Sequence, residues 1–297
     1  MTDWLEYNKK LVDEAVDVFV STDLLVDQEK QLKQMNRDKR GRPYSYSDAL
    51  MLIILAVREY FGLPYRQTEG FARMLDGIWG ARIPSYTQIC RRQKELNVPL
   101  GVKYDRDKPV DIAIDSTGIK AFNRGEWIRQ KWAVKRGWVK LHITCDISNH
   151  LITSVQVTDE HESDGKEFGK LVDGAKDTTG KISRVFGDSA YDSRVNFNYA
   201  AGTGADPVIK PKVNSTGRSK GSYIRAQTVR EFLSDSQAWK KKHRYGQRWQ
   251  VETVFLSLKR MLGEHFTSIL NIGINNEIMS KVFTYNIVEA NRNGCRL

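Results

Sequence analysis

The spacing of apolar residues changes near residue 110, from the three-to-four-residue repeat of helices to strict alternation. The apolar side chains of Val110, Ile112 and Ile114 alternate with Asp111, Ala113 and Asp115. Such alternation predicts a strand with two different faces. The chain is therefore predicted to join a helical first part to a second part that contains a sheet.

The order of elements after residue 110 predicts the architecture of that sheet. A hairpin follows the first strand, with alternation over 141–145, a turn at 148–150 and a return strand at 151–157. Next come a helix at 165–175, a strand at 183–187, a helix at 193–201, a strand at 208–210 and a long helical C-terminal third. This order indicates an α/β fold with a mixed sheet. A ribonuclease H-like sheet flanked by helices fits it better than any other fold.

Three helical segments precede the sheet, at 47–60, 66–75 and 87–96. Ser85 is placed to cap the third, whose exposed positions include Gln88, Arg91, Arg92 and Lys94. This pattern is typical of a helix-turn-helix, with Arg91 and Arg92 reaching DNA in the major groove. It is equally typical of an ordinary helical subdomain with a charged outer face.

These boundaries predict three parts of the chain. Residues 1–44 form an acidic helical segment and a basic linker, 45–104 a helical DNA-binding domain, and 105–297 the ribonuclease H-like catalytic domain. The linker sequence at 39–43, Lys-Arg-Gly-Arg-Pro, fits a minor-groove arm, although a solvated linker is the simpler interpretation.

The charge of the chain indicates a polyanionic partner. The formal net charge is +11 and the isoelectric point is near 9.4. Residues 1–35 carry eight acidic side chains and four lysines, a net charge of −4, so the remainder carries +15. An excess of Lys and Arg attracts negative ligands such as nucleic acid.

The composition also narrows the location and the metal chemistry. The longest apolar run, 49–57, is far shorter than the roughly 18 residues of a membrane-spanning helix, and no signal-peptide pattern is present, so we expect a soluble protein of the cytoplasm. Three cysteines, Cys90, Cys145 and Cys295, lie far apart and suit a reducing compartment. A metal would be held mainly by oxygen ligands, which favours Mg²⁺ or Mn²⁺.

A helix-forming stretch from residue 245 concentrates charged groups on one face. At about 100° of rotation per residue, Tyr245, Arg248, Glu252 and Lys259 fall within an arc of about 60°. An apolar stripe occupies the other side, made of Val251, Val254, Phe255, Leu258, Met261 and Leu262. Residues 240–260 hold seven Lys or Arg and one acid, so Glu252 is interpreted as a metal ligand or general base rather than part of a surface salt bridge with Arg248.

Two aspartates are candidates to act with Glu252. Asp115 ends a strand of Val, Ile and Ala, and Asp188 ends a second strand after Gly187. Each alone is more typical of a turn or a helix cap. Together with a helical Glu they follow the order that a ribonuclease H-like sheet brings together. Three carboxylates suit a pair of divalent ions that activate the nucleophile and stabilise the leaving oxygen in phosphodiester chemistry.

These residues resemble the insertion-sequence DDE transposases that carry a Tyr-x₂-Arg-x₃-Glu-x₆-Lys signature. The signature is matched by Tyr245, Arg248, Glu252 and Lys259. Asp-Ser-Thr-Gly at 115–118 and Gly-Asp-Ser-Ala-Tyr-Asp at 187–192 resemble the first and second Asp motifs, and segments 125–127 and 138–142 resemble the region after the first. The resemblance spans about 40–290; residues 1–35 match nothing.

The resemblance implies a Mg²⁺- or Mn²⁺-dependent enzyme with two ions held by Asp115, Asp188 and Glu252. It would recognise the inverted repeats of its element, cleave there and transfer the freed 3′-hydroxyls into target DNA. Tyr245, Arg248 and Lys259 would contact phosphates of the transposon end. The protein would act as a homodimer in a synaptic complex, in a prokaryotic, nucleoid-associated setting. Trp249 would stack on a displaced base, although packing in the core is the more ordinary role for a Trp.

Two other functions fit the same sequence. One is a ribonuclease H-like nuclease or resolvase, with the same metal ligands and no strand transfer. The other is a DNA-binding derivative that has lost catalysis, against which the three intact acids argue.

Overall fold

A computed structural model describes residues 28–121 and 137–294. Residues 1–27 of the predicted acidic segment, the motif segment at 125–127 and Cys295 lie outside the described residues. Within them, no helix is both long and apolar enough to cross a membrane.

The described residues form eleven α-helices and six strands. The helices are α1 (Gln28–Asn36), α2 (Asp48–Phe61), α3 (Tyr65–Met74), α4 (Asp76–Trp79), α5 (Tyr86–Glu95), α6 (Asp164–Thr179), α7 (Arg194–Gly202), α8 (Tyr223–Ser234), α9 (Ser236–Lys242), α10 (Gln250–Leu262) and α11 (Asn271–Arg292). The strands are β1 (Pro109–Ala121), β2 (Trp138–Asp146), β3 (Ile152–Asp159), β4 (Lys181–Gly187), β5 (Asp206–Ile209) and β6 (His265–Phe266). They fall into two compact units, one within Met1–Gly101 and Ser268–Arg296 and the other within Val102–Thr267.

The helices of the first unit begin and end close to the predicted residues because their capping signals are strong. Ser47 caps α2 by accepting a hydrogen bond from Leu50 N, and Gly62 ends that helix in the left-handed conformation. Ser85 and Gln88 form a capping box at the start of α5. The predicted N-terminal helical region is confirmed.

The last helix of the chain, α11, belongs to this same unit. It packs against α2 and α5, and Asn276 Nδ2 donates to the carbonyl oxygens of Gln93 and Leu96 at 2.7 and 3.1 Å. The predicted catalytic part, 105–297, therefore includes a helix that packs with the N-terminal helices. Local sequence patterns do not predict this packing, because the contacting residues are separated by about 180 positions.

The second unit is built on a mixed sheet with strand order β3-β2-β1-β4-β5, and β6 pairs with one end of β1. β1, β2 and β3 are antiparallel neighbours, whereas β4 and β5 run parallel to β1. α6 and α7 pack on this sheet around a core that contains Ile112, Ile114 and Phe168. The predicted ribonuclease H-like mixed sheet flanked by helices is confirmed.

Candidate active site

Asp115 and Asp188 occupy matching positions on two parallel strands. The last paired residues of β1 and β4 are Ala113 and Phe186, and each aspartate follows two positions later. Both therefore lie at the same edge of the β1–β4 pairing. The prediction that Asp115 ends its strand is wrong, because β1 continues to Ala121 while bonded to β2. Asp115 instead marks the point at which β4 leaves β1.

Glu252 approaches this edge from α10. The predicted apolar stripe is buried at Val251, Val254, Phe255, Leu258 and Leu262, with Met261 half-buried. That stripe packs α10 against β1 and β2, so the position of the helix is fixed by the sheet. The Glu252 side chain lies off the stripe and is 40% exposed, within reach of solvent and of a ligand.

Arg248 joins two of the three carboxylates. Its Nη2 lies 2.6 Å from Glu252 Oε1, and its Nη1 lies 3.5 Å from Asp115 Oδ2. The pair with Glu252 is the ordinary i, i+4 ion pair considered from the sequence. Its extension to Asp115, on a different element and 133 residues away, makes Arg248 part of the site rather than of a surface salt bridge.

Tyr245 contacts the backbone beside the third carboxylate. Its hydroxyl donates to Gly187 O, one residue before Asp188, at 3.3 Å. The prediction of one continuous α-helix from residue 245 is wrong at its start, because Tyr245–Trp249 forms a 3₁₀ helix and α geometry begins at Gln250. Burial raises the pKa of Tyr245 to about 12, although Arg248 opposes the shift, so the phenol remains a hydrogen-bond donor.

The electrostatic state of Asp115 reflects its burial and the neighbouring like charges. The pKa of this carboxyl is raised to about 6, first by burial and then by the negative charges of Asp188 and Glu252. The Ser116 amide, which donates to Asp115 Oδ1 at 2.8 Å, and the Arg248 guanidinium lower it but do not cancel the effect. The ionised form of Asp115 is therefore disfavoured relative to a carboxyl in water.

The other residues predicted to bind DNA differ in their surroundings. Lys259 is half-buried on α10, two helical turns beyond Glu252. Arg91 is exposed on α5. Arg92 forms an ion pair with Asp48 and lies over the Tyr44 ring at 4.4 Å. Its guanidinium therefore stabilises the first compact unit, called the helical unit below.

Two polar groups that sequence reasoning missed also face the site. Asp164, at the start of α6, accepts hydrogen bonds from Ser116 Oγ at 2.8 Å and Lys140 Nζ at 3.0 Å. The Tyr191 side chain is fully buried, and its hydroxyl has no hydrogen-bond partner among the residues that the structure describes. Burial raises the pKa of this phenol, as do Asp115, Asp164 and Asp188. An aromatic residue within the polar stretch 187–192 was the signal available for Tyr191.

Comparisons with known proteins identify the family. A family model described as a transposase DDE domain matches residues 106–287, which is more than half of the chain, and a second model of the same description matches residues 14–124. The chain belongs to the DDE transposase family. DDE transposases are enzymes that cleave and transfer DNA and generally use divalent metal ions.

Two solved structures show distant similarity to this family member. A chain from the simian T-cell lymphotropic virus intasome in complex with PP2A regulatory subunit B56 gamma is 12% identical with a TM-score of 0.28, over 67% of this chain and 65% of that one, just under two thirds of its length. A chain of the Drosophila P element transposase strand transfer complex is 11% identical with a TM-score of 0.35, over 93% of this chain and 71% of that one. The family assignment depends on the family models alone.

The donor set of this candidate site fits a divalent cation in charge and type. Three hard carboxylates lie near one edge of the sheet, and Arg248 contacts two of them. No three His, Cys, Asp or Glu side chains of the described residues already form a group that could hold a metal. Asp188 Oδ1 accepts from Ala190 N at 2.8 Å, and Glu252 is turned toward Arg248. Ligation therefore requires these side chains to exchange their present partners for the ion.

Proposed function

We propose that this protein recognises the terminal inverted repeats of a transposable element, cleaves DNA there, and joins the freed 3′-hydroxyls to target DNA. The placement of Asp115 and Asp188 after matched positions of parallel strands, with Glu252 linked to Asp115 through Arg248, is the observation that carries the proposal. Membership of the DDE transposase family supports it.

Asp115, Asp188 and Glu252 would hold two divalent ions, Mg²⁺ or Mn²⁺. When bound, such ions activate water or a 3′-hydroxyl and stabilise the leaving oxyanion in phosphodiester chemistry. The strands fix the two aspartates on the sheet. Glu252 lies on a helix whose buried apolar stripe fixes the position of that helix against the sheet. Because the pKa of Asp115 is raised, a bound cation would stabilise the ionised form of this carboxyl.

Tyr245, Arg248 and Lys259 would contact phosphates of the transposon end, as in the group with the Tyr-x₂-Arg-x₃-Glu-x₆-Lys signature. Arg248 provides a guanidinium that can exchange its carboxylates for a phosphate once ions neutralise the acids. Trp249 is 59% exposed, so the prediction of a core-packing role is wrong. Its exposed ring, which lies 4.8 Å from the Arg248 guanidinium carbon, supports stacking on a displaced base.

Residues 45–104 would supply contacts to the DNA ends, with Arg91 on the exposed face of α5 as the first candidate. Arg92 remains a weaker candidate because of its bonds to Asp48 and Tyr44. Because two ends are joined in one event, the active form would be a homodimer in a synaptic complex. We infer a prokaryotic cytoplasm, close to the nucleoid, as its location.

Replacing Glu252 with Gln tests the site. Glu252→Gln keeps the size of the side chain but removes a charged ligand, so we expect DNA binding to persist and Mg²⁺- or Mn²⁺-dependent cleavage of end-bearing DNA to fall by at least roughly a hundredfold. Glu264→Gln, at an exposed position of the same unit, is the matched control. Wild-type cleavage by Glu252→Gln would refute the assignment.

The joined product distinguishes a transposase from a nuclease. Pre-cleaved end duplexes incubated with a circular target should yield covalently joined DNA, because the same site uses a 3′-hydroxyl as the nucleophile. Hydrolysis without joining would identify a nuclease or resolvase. Binding with neither reaction would identify an inactive derivative.

A further inference from the structure

The stretch between Asp206 and Glu231 contains only cationic charges. Residues 207–230 carry six Lys or Arg and no acid, namely Lys210, Lys212, Arg218, Lys220, Arg225 and Arg230. Most of them belong to a loop at 210–222, called the basic loop below, which connects β5 to α8. Neither the signature nor the three acids account for this concentration of charge.

The basic loop begins at the edge of the sheet that carries the candidate active site. β5 runs parallel to β4, so both strands end at that edge. Lys210 N donates to Gly187 O at 3.3 Å, the same carbonyl oxygen that accepts the Tyr245 hydroxyl. The loop therefore starts one residue from Asp188 along the hydrogen-bonded backbone.

A buried ion pair fixes the first half of the loop. Asp192 has a fully buried carboxylate that accepts Arg225 Nε at 2.6 Å, Ser215 Oγ at 2.6 Å and Lys212 N at 2.8 Å. Burial alone would raise the pKa of Asp192, but these hydrogen bonds and the Arg225 charge hold it below its usual value. The charge of Arg225 is thus used inside the protein.

Side chains of the neighbouring helices fix the second half. Arg230 Nε donates to Gly217 O at 2.9 Å, Arg194 Nη1 to Lys220 O at 3.1 Å and Asn198 Nδ2 to Gly221 O at 2.9 Å. A loop held by hydrogen bonds in both halves presents its side chains from a fixed backbone. Binding through such a loop loses little conformational entropy.

Three cations remain for a ligand. Lys212, Arg218 and Lys220 are exposed, and their side chains form no ion pair or hydrogen bond within the described residues. Like charges on a fixed loop repel one another and lower stability, and no acid within the stretch offsets this. Such a surface fits a regularly spaced polyanion that approaches the sheet edge.

We propose that Lys212, Arg218 and Lys220 bind the phosphate backbone of double-stranded DNA beside the active site, without reading its sequence. The inference depends on the proposed function only in that DNA is the substrate. Phosphate contacts fix the position of a duplex and carry no base information. The loop would therefore hold end-bearing and arbitrary duplexes alike.

The salt dependence of DNA binding tests this inference. The triple variant Lys212→Ala/Arg218→Ala/Lys220→Ala should bind a fluorescein-labelled duplex of arbitrary sequence roughly tenfold to a hundredfold more weakly than wild type. The slope of log affinity against log salt should fall by roughly 2 to 3, because each lost phosphate contact removes about 0.9. The melting temperature should not fall, since all three side chains are exposed. An end-bearing duplex should show the same loss.

A matched variant controls for net charge. Lys103→Ala/Lys108→Ala/Lys181→Ala removes three exposed lysines near the amino ends of β1 and β4, away from the edge with the acids, and should retain the wild-type slope. Equal slopes for both triple variants, or a loss of affinity confined to the end-bearing duplex, would overturn the inference. Metal-dependent cleavage by wild type would still support the proposed function in that case. If wild type bound neither duplex, the proposed function itself would fail.

Discussion

At the scale of single residues, the candidate site is defined by an imbalance of charge. Arg248 contacts two of the three acids, and burial together with the charges of Asp188 and Glu252 disfavours the ionised form of Asp115. The burial that makes this carboxylate a good cation ligand costs stability when no cation is bound.

This cost gives Asp115→Asn a pH-dependent effect on stability. The wild-type carboxyl is neutral below pH 4, becomes charged as the pH rises through about 6, and then lowers the free energy of unfolding by roughly 2 to 3 kcal/mol. The Asn variant avoids that penalty. It should therefore be more stable than wild type by this amount at pH 7 without metal, and equally stable near pH 3.5.

Urea denaturation at the two pH values measures the difference. Asp177→Asn, at an exposed position of the same unit, should behave like wild type throughout. A constant difference between Asp115→Asn and wild type across the pH range would contradict the raised pKa.

The sequence proposes three acids for the site, and this assignment stays a prediction; the contacts around them could not be predicted from the sequence. Asp188 directly follows the predicted strand, which ends at Gly187, and Glu252 lies on the predicted helix. The bond from Arg248 to Asp115 depends on α10 crossing the sheet, and no local pattern specifies that approach. Tyr191 and Asp164 were missed for the same reason, because only the folded sheet turns them toward Asp115.

At the scale of elements, close packing of α6 on the sheet positions Asp164 and supports the strands beneath the acids. Two glycines of this helix differ in their surroundings. A Cβ on Gly174 would overlap the buried Ser154 Oγ of β3, whereas a Cβ on Gly169 would reach the Tyr199 ring at an ordinary 3.4 Å. The first glycine is required for the approach of helix and strand, and the second is not.

The two glycines therefore predict alanine substitutions of opposite sign. Gly174→Ala should lower the free energy of unfolding by roughly 1 to 3 kcal/mol, because α6 must move away from β3. Gly169→Ala should raise it by up to about 1 kcal/mol, because alanine favours a helix more than glycine does. Chemical denaturation of both variants measures the effects, and equal losses would refute the packing argument.

Sequence patterns predicted the elements with uneven success. Strands with alternating residues and helices with Ser caps were placed within a few residues of their observed bounds. The strand at residue 110 was predicted too short, because Asp-Ser-Thr-Gly at 115–118 reads as a turn while pairing with β2 keeps it extended. β6 was not predicted, since a two-residue strand has no periodicity of its own.

At the scale of the whole molecule, chain order and spatial order differ. The first unit takes its final helix from the C-terminal region, and Lys281 of α11 forms a buried ion pair with Glu59 of α2, Nζ to Oε2, at 3.1 Å. Arg58 also bonds to Glu59. The three-part division at residues 44 and 104 remains a prediction. It places α11 in the catalytic part by sequence position, although this helix packs with the N-terminal helices.

Loss of this ion pair should weaken the helical unit. Lys281→Ala removes one member of a buried charged group, so we expect a decrease of roughly 3 kcal/mol in the free energy of unfolding. Lys94→Ala, at an exposed position of α5, should change it by less than about 0.5 kcal/mol. Limited proteolysis should cut the Lys281→Ala variant first within the helical unit, and equal resistance of the two variants would contradict the coupling.

The change of helix type at residues 249 and 250 explains the unequal gaps of the signature. A 3₁₀ turn closes every three residues, so Tyr245 and Arg248 stand one above the other. An α-helix brings together residues four apart, so Arg248 next meets Glu252. A single amino acid inserted at this junction would rotate the position of Glu252 by about 100° around the helix axis. Its side chain would then point away from both aspartates, and no substitution elsewhere in α10 could reverse that rotation.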